Sequence, residues 1–128
     1  MKLLITMLSL LFAVSGLCIW DCIHTTNVLN KMEQESSTIQ QLILNSDEIP
    51  NNLKIDIENI NDYWTKKMDI LSISISRKDM QPISDYLQYL ASSIINDNRE
   101  DAITYSRLLS YNVQGLKEST LFSHLNLL

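Results

Sequence analysis

Residues 3–20 read LLITMLSLLFAVSGLCIW, a run of eighteen residues without a charged side chain. A helix rises about 1.5 Å per residue, so a helix of this length spans roughly 27 Å, enough to cross the hydrocarbon core of a bilayer. Inside lipid a helix satisfies its own backbone hydrogen bonds, which favours a helix over a strand here. Residues 1–20 are therefore predicted to be a transmembrane anchor.

The charges that flank the apolar run predict its orientation. Lys2 and the terminal amine precede the run, and Asp21 follows it. Because positive charge is retained on the cytoplasmic side, we expect a single-pass protein of the cell membrane with a cytoplasmic N-terminus and an extracytoplasmic C-terminal domain. Trp20 ends the run, where an indole ring suits the membrane interface, so membrane lipid is the first expected partner.

A cleaved signal peptide is the alternative interpretation of the same run. Residues 3–12 would then be its apolar region, and residues 13–15 (Ala-Val-Ser) would be an acceptable cleavage site. Apolar residues continue past that site to Trp20, which favours the anchor. Both interpretations place residues 21–128 outside the cytoplasm, in the second case as a secreted helical protein.

The remaining chain predicts an all-α protein. Only two Gly and two Pro occur among 128 residues, which argues against a turn-rich sandwich or barrel. We expect the anchor to continue into a helical stalk and linker over residues 21–50, with only the last two turns of the stalk joining the core. Residues 51–128 are expected to form a small antiparallel helical bundle. Its apolar stripes have helical spacing: Leu53, Ile57, Ile60, Trp64, Met68 and Leu71; Met80, Ile83, Leu87, Leu90, Ala91 and Ile94; Ala102, Tyr105, Leu109, Val113 and Leu116.

Local signals predict the first two helix boundaries of the bundle. Asn51 or Asn52 is suited to cap the first helix through its side chain. Residues 70–76 alternate like a strand, but a lone strand has no pairing partner, so we expect a helix end and a connector. Pro82 is tolerated in a first turn, which places the next helix start close to Asp79.

Two further signals concern the last helix. Asn98 with Asp101 three residues later resembles a capping pair, which predicts a helix start at this point. Gly115 is suited to end that helix in a left-handed conformation. Residues 119–128 would then form a short separate helix that carries Leu121, Phe122, Leu125 and Leu128.

The search for chemistry predicts neither an enzyme nor a cofactor or metal. His24 and His124 are the only imidazoles, and neither has a nucleophile at motif spacing. Cys18 and Cys22 lie one helical turn apart but lack enough further ligands for a metal. A disulfide through Cys22 in a homodimer of parallel stalks is an alternative that the sequence leaves open. The net charge of −5 disfavours nucleic acid as a partner.

Three tyrosines are the remaining candidates for a ligand or partner surface. Tyr86, Tyr89 and Tyr105 are suited to border a groove between the last two helices, although such rings more often form the edge of a core with hydroxyls in water. The favoured hypothesis is a protein-interaction module whose protein partner the sequence does not identify. The alternative is an extracytoplasmic sensor or small-ligand-binding bundle.

Several local features are similar to those of a known family. They are the segment Trp64-Thr65-Lys66-Lys67, the pair Leu87 and Leu90, the polar turn at Asp97 before Glu100-Asp101-Ala102, and the ending Asn126-Leu127-Leu128. In these features the chain resembles domain of unknown function 4363, a family of short, N-terminally membrane-anchored helical proteins of Gram-positive, largely spore-forming bacteria. Arg77 stands where many members carry a histidine. The resemblance implies the topology and the location, but no activity.

Overall fold

The chain folds into four helices. The computed structural model describes the backbone of residues 1–127 and the side chains of residues 1–122. The helices are α1 (Lys2–Leu44), α2 (Asn52–Leu71), α3 (Arg77–Ile95) and α4 (Arg99–Leu127), and residues 1–127 contain no strand. The expected all-α class with a long N-terminal apolar helix is confirmed.

The four helices pack as an up-down-up-down bundle. Each helix contacts the next one along the chain, and α4 returns to pack against α1. The connections are short, so consecutive helices run antiparallel. The α1–α4 and α3–α4 interfaces are the most extensive, whereas the interface between α1 and α2 is the smallest.

The core follows a heptad-like pattern, in which buried positions alternate at three- and four-residue spacings. The buried positions are Thr25, Val28, Leu29, Met32, Ser36, Ile39 and Ile43 in α1, and Ala102, Ser106, Leu109, Val113 and Leu116 in α4. The stripes predicted for the other two helices are also mostly buried. Trp64 is the largest side chain of the core, and its indole N–H donates to Ser84 Oγ at 2.9 Å.

The segment after the apolar run differs from the expected free stalk. Helix α1 is continuous from Lys2 to Leu44, and its buried residues begin at Thr25. About five turns of α1 therefore belong to the core, where the sequence predicted two. Residues 1–20 are exposed on all sides and project beyond the bundle. Within this buried part of the helix, the apolar Leu42 is exposed.

The predicted start of α2 is confirmed but its predicted side-chain cap is not, and α3 begins two residues before Asp79, the predicted position. Asn51 precedes α2 as predicted, but its own backbone is helical and its side chain caps nothing. Helix α3 begins at Arg77 after Ser76, whose hydroxyl accepts a hydrogen bond from the Lys78 N–H at 3.3 Å. Pro82 therefore lies in the second turn of α3, one turn further in than expected. The predicted end of α2 is confirmed, since α2 stops at Leu71 and residues 72–76 connect it to α3.

The turn between α3 and α4 confirms the predicted capping pair. The Asp101 N–H donates to Asn98 Oδ1 at 3.2 Å, and the Asn98 side-chain amide donates to Asp101 Oδ2 at 2.8 Å. Before them, Asp97 has a φ of 53°, and the Asn98 N–H donates to the Ser93 carbonyl at 2.9 Å. This is the arrangement that ends a helix through one left-handed residue.

The predicted end of the last helix is wrong. Gly115 does not have a positive φ, and α4 continues through it to Leu127. Residues 119–127, which the sequence assigned to a separate helix, instead continue α4. Its predicted apolar residues Leu125 and Leu128 lie outside the described side chains.

Candidate functional site

The structure brings together the three tyrosines that the sequence singled out. Tyr86 and Tyr89 lie on α3, and Tyr105 lies on α4. The ring centroids are 6.2 Å apart for Tyr86 and Tyr89, 5.4 Å for Tyr89 and Tyr105, and 6.5 Å for Tyr86 and Tyr105. We call these three residues the tyrosine cluster.

The tyrosine cluster is partly fixed by the core and partly open to solvent. Tyr86 and Tyr105 are half-buried and pack against the core, whereas Tyr89 is 49% exposed. The cluster is thus both the edge of the core and an accessible aromatic surface. Tyr111 of α4 is 76% exposed and makes none of these ring contacts, so it is a lone surface tyrosine.

A small polar recess adjoins the tyrosine cluster. Its lining comprises Tyr89, Ser92, Ser93, Asn96, Asn98, Asp101 and Tyr105. Its volume is about 160 Å³, below the roughly 300–1,000 Å³ of pockets that enclose drug-sized ligands. Tyr86, which the sequence grouped with the other two rings, does not line it. The recess has room for a small polar group rather than for a large ligand.

The hydrogen bonds of Arg99 show that Tyr89 and Tyr105 of the tyrosine cluster lie in the half of the bundle that is remote from the apolar run. Its Nε donates to the Ser46 carbonyl at 3.0 Å, and its Nη2 donates to the Ile43 carbonyl at 3.3 Å. The turn before α4 therefore lies against the C-terminal end of α1, opposite the apolar N-terminal end. Tyr89 and Tyr105 are within two turns of that connection along their own helices. We call this the distal end of the bundle.

The opposite end of the bundle adjoins the apolar part of α1. Within α1, the structure describes a run that is long and apolar enough to cross a membrane. Trp20 is 54% exposed, and its ring stacks on that of His24 with 5.1 Å between centroids. The hydroxyl of Ser74, in the α2–α3 connection, donates a hydrogen bond to the Asp21 carboxylate. The α2–α3 connection therefore lies at the level where the apolar run ends.

A second polar recess lies along the small α1–α2 interface, and sequence reasoning missed it. It has a volume of about 160 Å³ and is lined by Lys31, Met32, Glu35, Asp56, Asn59, Ile60 and Tyr63. The Lys31 ammonium lies 4.2 Å from the centroid of the Tyr63 ring, and burial raises the pKa of Tyr63. The sequence signal is weak, because each of these polar residues taken alone resembles an ordinary solvated face.

The structure shows where the groups considered for metal binding and thiol chemistry lie. Among residues 1–122 no three His, Cys, Asp or Glu side chains are grouped to hold a metal ion. Cys18 and Cys22 are free thiols, the first exposed and the second half-buried, and the disulfide between two copies stays a prediction. The side chain of His124 lies outside the described residues. The expected lack of activity stays a prediction.

Comparisons with models of known families, with curated proteins and with solved structures find no match for this chain. The resemblance to domain of unknown function 4363 therefore stays a prediction based on its local features.

Proposed function

We propose that this chain is a single-pass membrane protein with a cytoplasmic N-terminus that presents its helical bundle outside the cell. In this proposal the bundle binds another protein through the tyrosine cluster and performs no catalysis. The observation that carries this proposal is the position of the cluster. Tyr89 and Tyr105 lie in the distal half of the bundle, away from the apolar run, and with Tyr86 at the middle of α3 they form one partly exposed aromatic surface. A partner in the extracellular space reaches that half without meeting the bilayer.

The chemistry of the tyrosine cluster supports a protein partner. Tyrosine is enriched at protein interfaces because one ring offers apolar contact area and a hydroxyl for hydrogen bonding. Tyr86 and Tyr105 are already held against the core, so binding immobilises little further side-chain freedom. Tyr89 at 49% exposure supplies the accessible surface, and the polar recess beside it offers hydrogen-bonding groups at the rim.

The membrane part of the proposal is supported by the exposure of residues 1–20, which no helix of the bundle covers. Extraction of native membranes with alkaline carbonate tests it, and the full-length chain should stay in the pellet. Release into the supernatant would refute the anchor. N-terminal sequencing distinguishes an intact chain from one cleaved near Gly16. Because the buried part of α1 begins at Thr25, both products keep the helix that completes the bundle.

The orientation is tested with single cysteines in a chain whose Cys18 and Cys22 are replaced by serine. Gln114 is exposed on α4, so Gln114→Cys should react with a membrane-impermeant maleimide added to intact protoplasts. A cysteine inserted between Met1 and Lys2, which keeps the Lys2 charge, is the matched control on the other side of the apolar run and should react only after lysis. The reverse pattern would refute the orientation.

The partner surface is tested by site-specific photo-crosslinking in native membranes. A photoreactive phenylalanine analogue at Tyr89 should give a discrete crosslinked species, and the same analogue at Tyr111 should not. Tyr111 is the matched control because it is more exposed yet lies outside the cluster. A Tyr105→Ser change should weaken the crosslink from position 89. Equal crosslinking from both positions, or none from position 89, would contradict the proposed surface.

A sensor for a small extracytoplasmic ligand is the second candidate, favoured by the polar recess beside Tyr89. Its serine, asparagine and aspartate side chains suit a small polar molecule, such as a free amino acid. Ligand at about 100 times its Kd would stabilise the fold by roughly 2.7 kcal/mol. Thermal unfolding of the full chain with each of the free amino acids measures this, and an unchanged midpoint at millimolar concentration would refute that ligand class.

A further inference from the structure

Exposed apolar side chains gather at the end of the bundle that adjoins the apolar run. Ile73 in the α2–α3 connection is 82% exposed. On α4, Leu121 is 54% exposed and Phe122 is 66% exposed, and Trp20 of α1 is 54% exposed. Isolated exposed apolar residues are ordinary on protein surfaces. The distal end exposes Leu44, Ile55 and Ile95 in a similar way, so exposure alone does not distinguish the two ends. The four residues at the proximal end differ in lying next to the apolar run, and we call them the proximal patch.

Contacts between the elements fix the level of the proximal patch along the bundle. Ser74 is hydrogen-bonded to Asp21, the residue that follows Trp20. Ile73 is the neighbour of Ser74, so it lies close to the level at which the apolar run ends. A recess lined jointly by residues 74–76 and 116–120 places the same part of α4 at this level.

Helix α4 continues beyond that recess toward the apolar run. It runs antiparallel to α1 and ends at Leu127, seven residues after Thr120. At about 1.5 Å per residue this adds roughly 10 Å of helix directed toward the side on which residues 1–20 project. Leu121 and Phe122 lie in the first turn of this extension, so they are carried closer to the lipid than Thr120 is.

We propose that the proximal patch lies on the lipid surface, with the side chains of Ile73, Leu121 and Phe122 in the headgroup layer beside Trp20. The inference depends on the membrane anchoring in the proposed function and specifies how the bundle sits on the bilayer. The occupant follows from continuity with the apolar run, because the anchor that holds Trp20 at the interface brings the rest of the patch to the same lipid. No separate association step is needed, since the anchor already supplies a high effective concentration of lipid.

The charges near the proximal patch indicate an apolar rather than an electrostatic contact. The guanidinium of Arg77 is 2.9 Å from the Asp69 carboxylate, so it is already paired. Asp21 adds a negative charge at the same level. Lys78 beside Arg77 is also exposed, but Asp21, Asp69 and Asp79 outnumber these two basic residues, so the charge next to Ile73 is not net positive. We therefore expect the contact to be the same on zwitterionic and on anionic bilayers.

The test uses the full chain, with Cys18 and Cys22 changed to serine, reconstituted into phosphatidylcholine vesicles. One cysteine is introduced as Ile73→Cys, and the matched control is Ile95→Cys. Ile95 is 61% exposed at the distal end, so the two positions differ mainly in their distance from lipid. Each is labelled with an environment-sensitive fluorophore, and part of the lipid carries a nitroxide quencher near the headgroup. Phe122→Cys repeats the measurement from α4.

We expect the nitroxide lipid to quench the labels at positions 73 and 122 and to leave the label at position 95 unchanged. The same result should hold when phosphatidylglycerol replaces part of the phosphatidylcholine. If positions 73 and 122 are unquenched while the chain stays with the vesicles, the inference is refuted and the anchor stands. Equal quenching at all three positions would mean that the bundle lies flat, which also refutes it. If the emission of the label at position 73 shifts as the protein density in the vesicles increases, but does not respond to the quencher, the patch contacts a second copy of the chain and not lipid. Loss of the chain from the vesicles would refute the anchor itself.

Discussion

Replacing Gly115 by alanine tests the continuity of α4. The structure gives Gly115 a non-positive φ within α4, and an added Cβ would meet no atom within 4 Å. Alanine therefore fits without strain. In a helix interior, glycine is less stable than alanine by about 0.5–1 kcal/mol, because it loses more backbone freedom on folding.

The magnitude follows from the position of Gly115 in the packed part of the helix. Val113 and Leu116 on either side are buried, so this turn forms together with the core. We expect Gly115→Ala to raise the free energy of unfolding by close to 1 kcal/mol, about a fivefold decrease in the unfolding equilibrium constant. A glycine that ended the helix in the left-handed conformation would give the opposite sign, since alanine there is strained by about 1–2 kcal/mol.

The assay is urea unfolding of the full chain in detergent micelles, followed by fluorescence. Trp64 is fully buried and reports the loss of the core, and a Trp20→Phe background removes the other indole. The matched control is Gly16→Ala, which also meets no atom within 4 Å but lies in the apolar run outside the bundle. It should leave the transition unchanged. A destabilised or unchanged Gly115→Ala variant would refute a helix that is continuous and packed through this position.

Three other changes probe single contacts by the same urea assay. Arg99→Ala removes the hydrogen bonds to the end of α1 and should lower the free energy of unfolding by about 2 kcal/mol. Arg77→Ala breaks an exposed ion pair and should lower it by less than about 1 kcal/mol. Equal losses would contradict the role of Arg99. Ser84→Ala leaves the buried indole N–H of Trp64 without its acceptor and should cost about 1–3 kcal/mol, so a neutral effect would contradict that bond. Burial raises the pKa of Tyr63 above 10.0, so the unfolded chain releases the phenol proton at a lower pH than the folded chain does. The free energy of unfolding therefore falls as the pH rises above 10.0. Tyr63→Phe should therefore match the parent in pH dependence below pH 10 and lose less stability above it, and identical profiles would contradict the shift.

Apolar periodicity was sufficient to predict α2 and α3. Leu53, Ile57 and Trp64 in α2 and Leu87 and Leu90 in α3 are all buried as the three- and four-residue spacing indicates. The pattern is reliable in these helices because nearly every core position carries a large apolar side chain. The connector over residues 72–76 was also predictable, since a lone strand would have lacked a partner.

The inner part of α1 was harder to predict because two of its core positions carry hydroxyls. Thr25 and Ser36 are fully buried, and they look polar in a sequence pattern. The buried hydroxyl of Ser36 has a hydrogen-bond partner within its own helix, since it donates to the Met32 carbonyl at 2.6 Å. Ser106 does the same in α4 by donating to the Ile103 carbonyl at 2.9 Å. Small residues of this kind let helices approach closely, but apolar periodicity does not register them.

The candidate site was predictable only in part. The spacing of Tyr86 and Tyr89 placed both on one side of a helix, and Tyr105 on the next helix was a reasonable neighbour. Their mutual contacts depend on which faces of α3 and α4 meet, and this is a tertiary property. The recess at Lys31 and Tyr63 depends in the same way on the narrow α1–α2 interface, so no local signal revealed it.

The unbroken backbone of α1 from Lys2 to Leu44 has a mechanical consequence. A single rod without a hinge transmits torque, so a rotation of its apolar half about the long axis swings every face of the bundle through the same angle. The 25 residues from Trp20 to Leu44 are separated by 24 rises of about 1.5 Å, which sets the reach of that rod at about 36 Å. A partner bound at the distal end of the bundle would thereby rotate or tilt the apolar run beyond Trp20, because α1 has no hinge between the two.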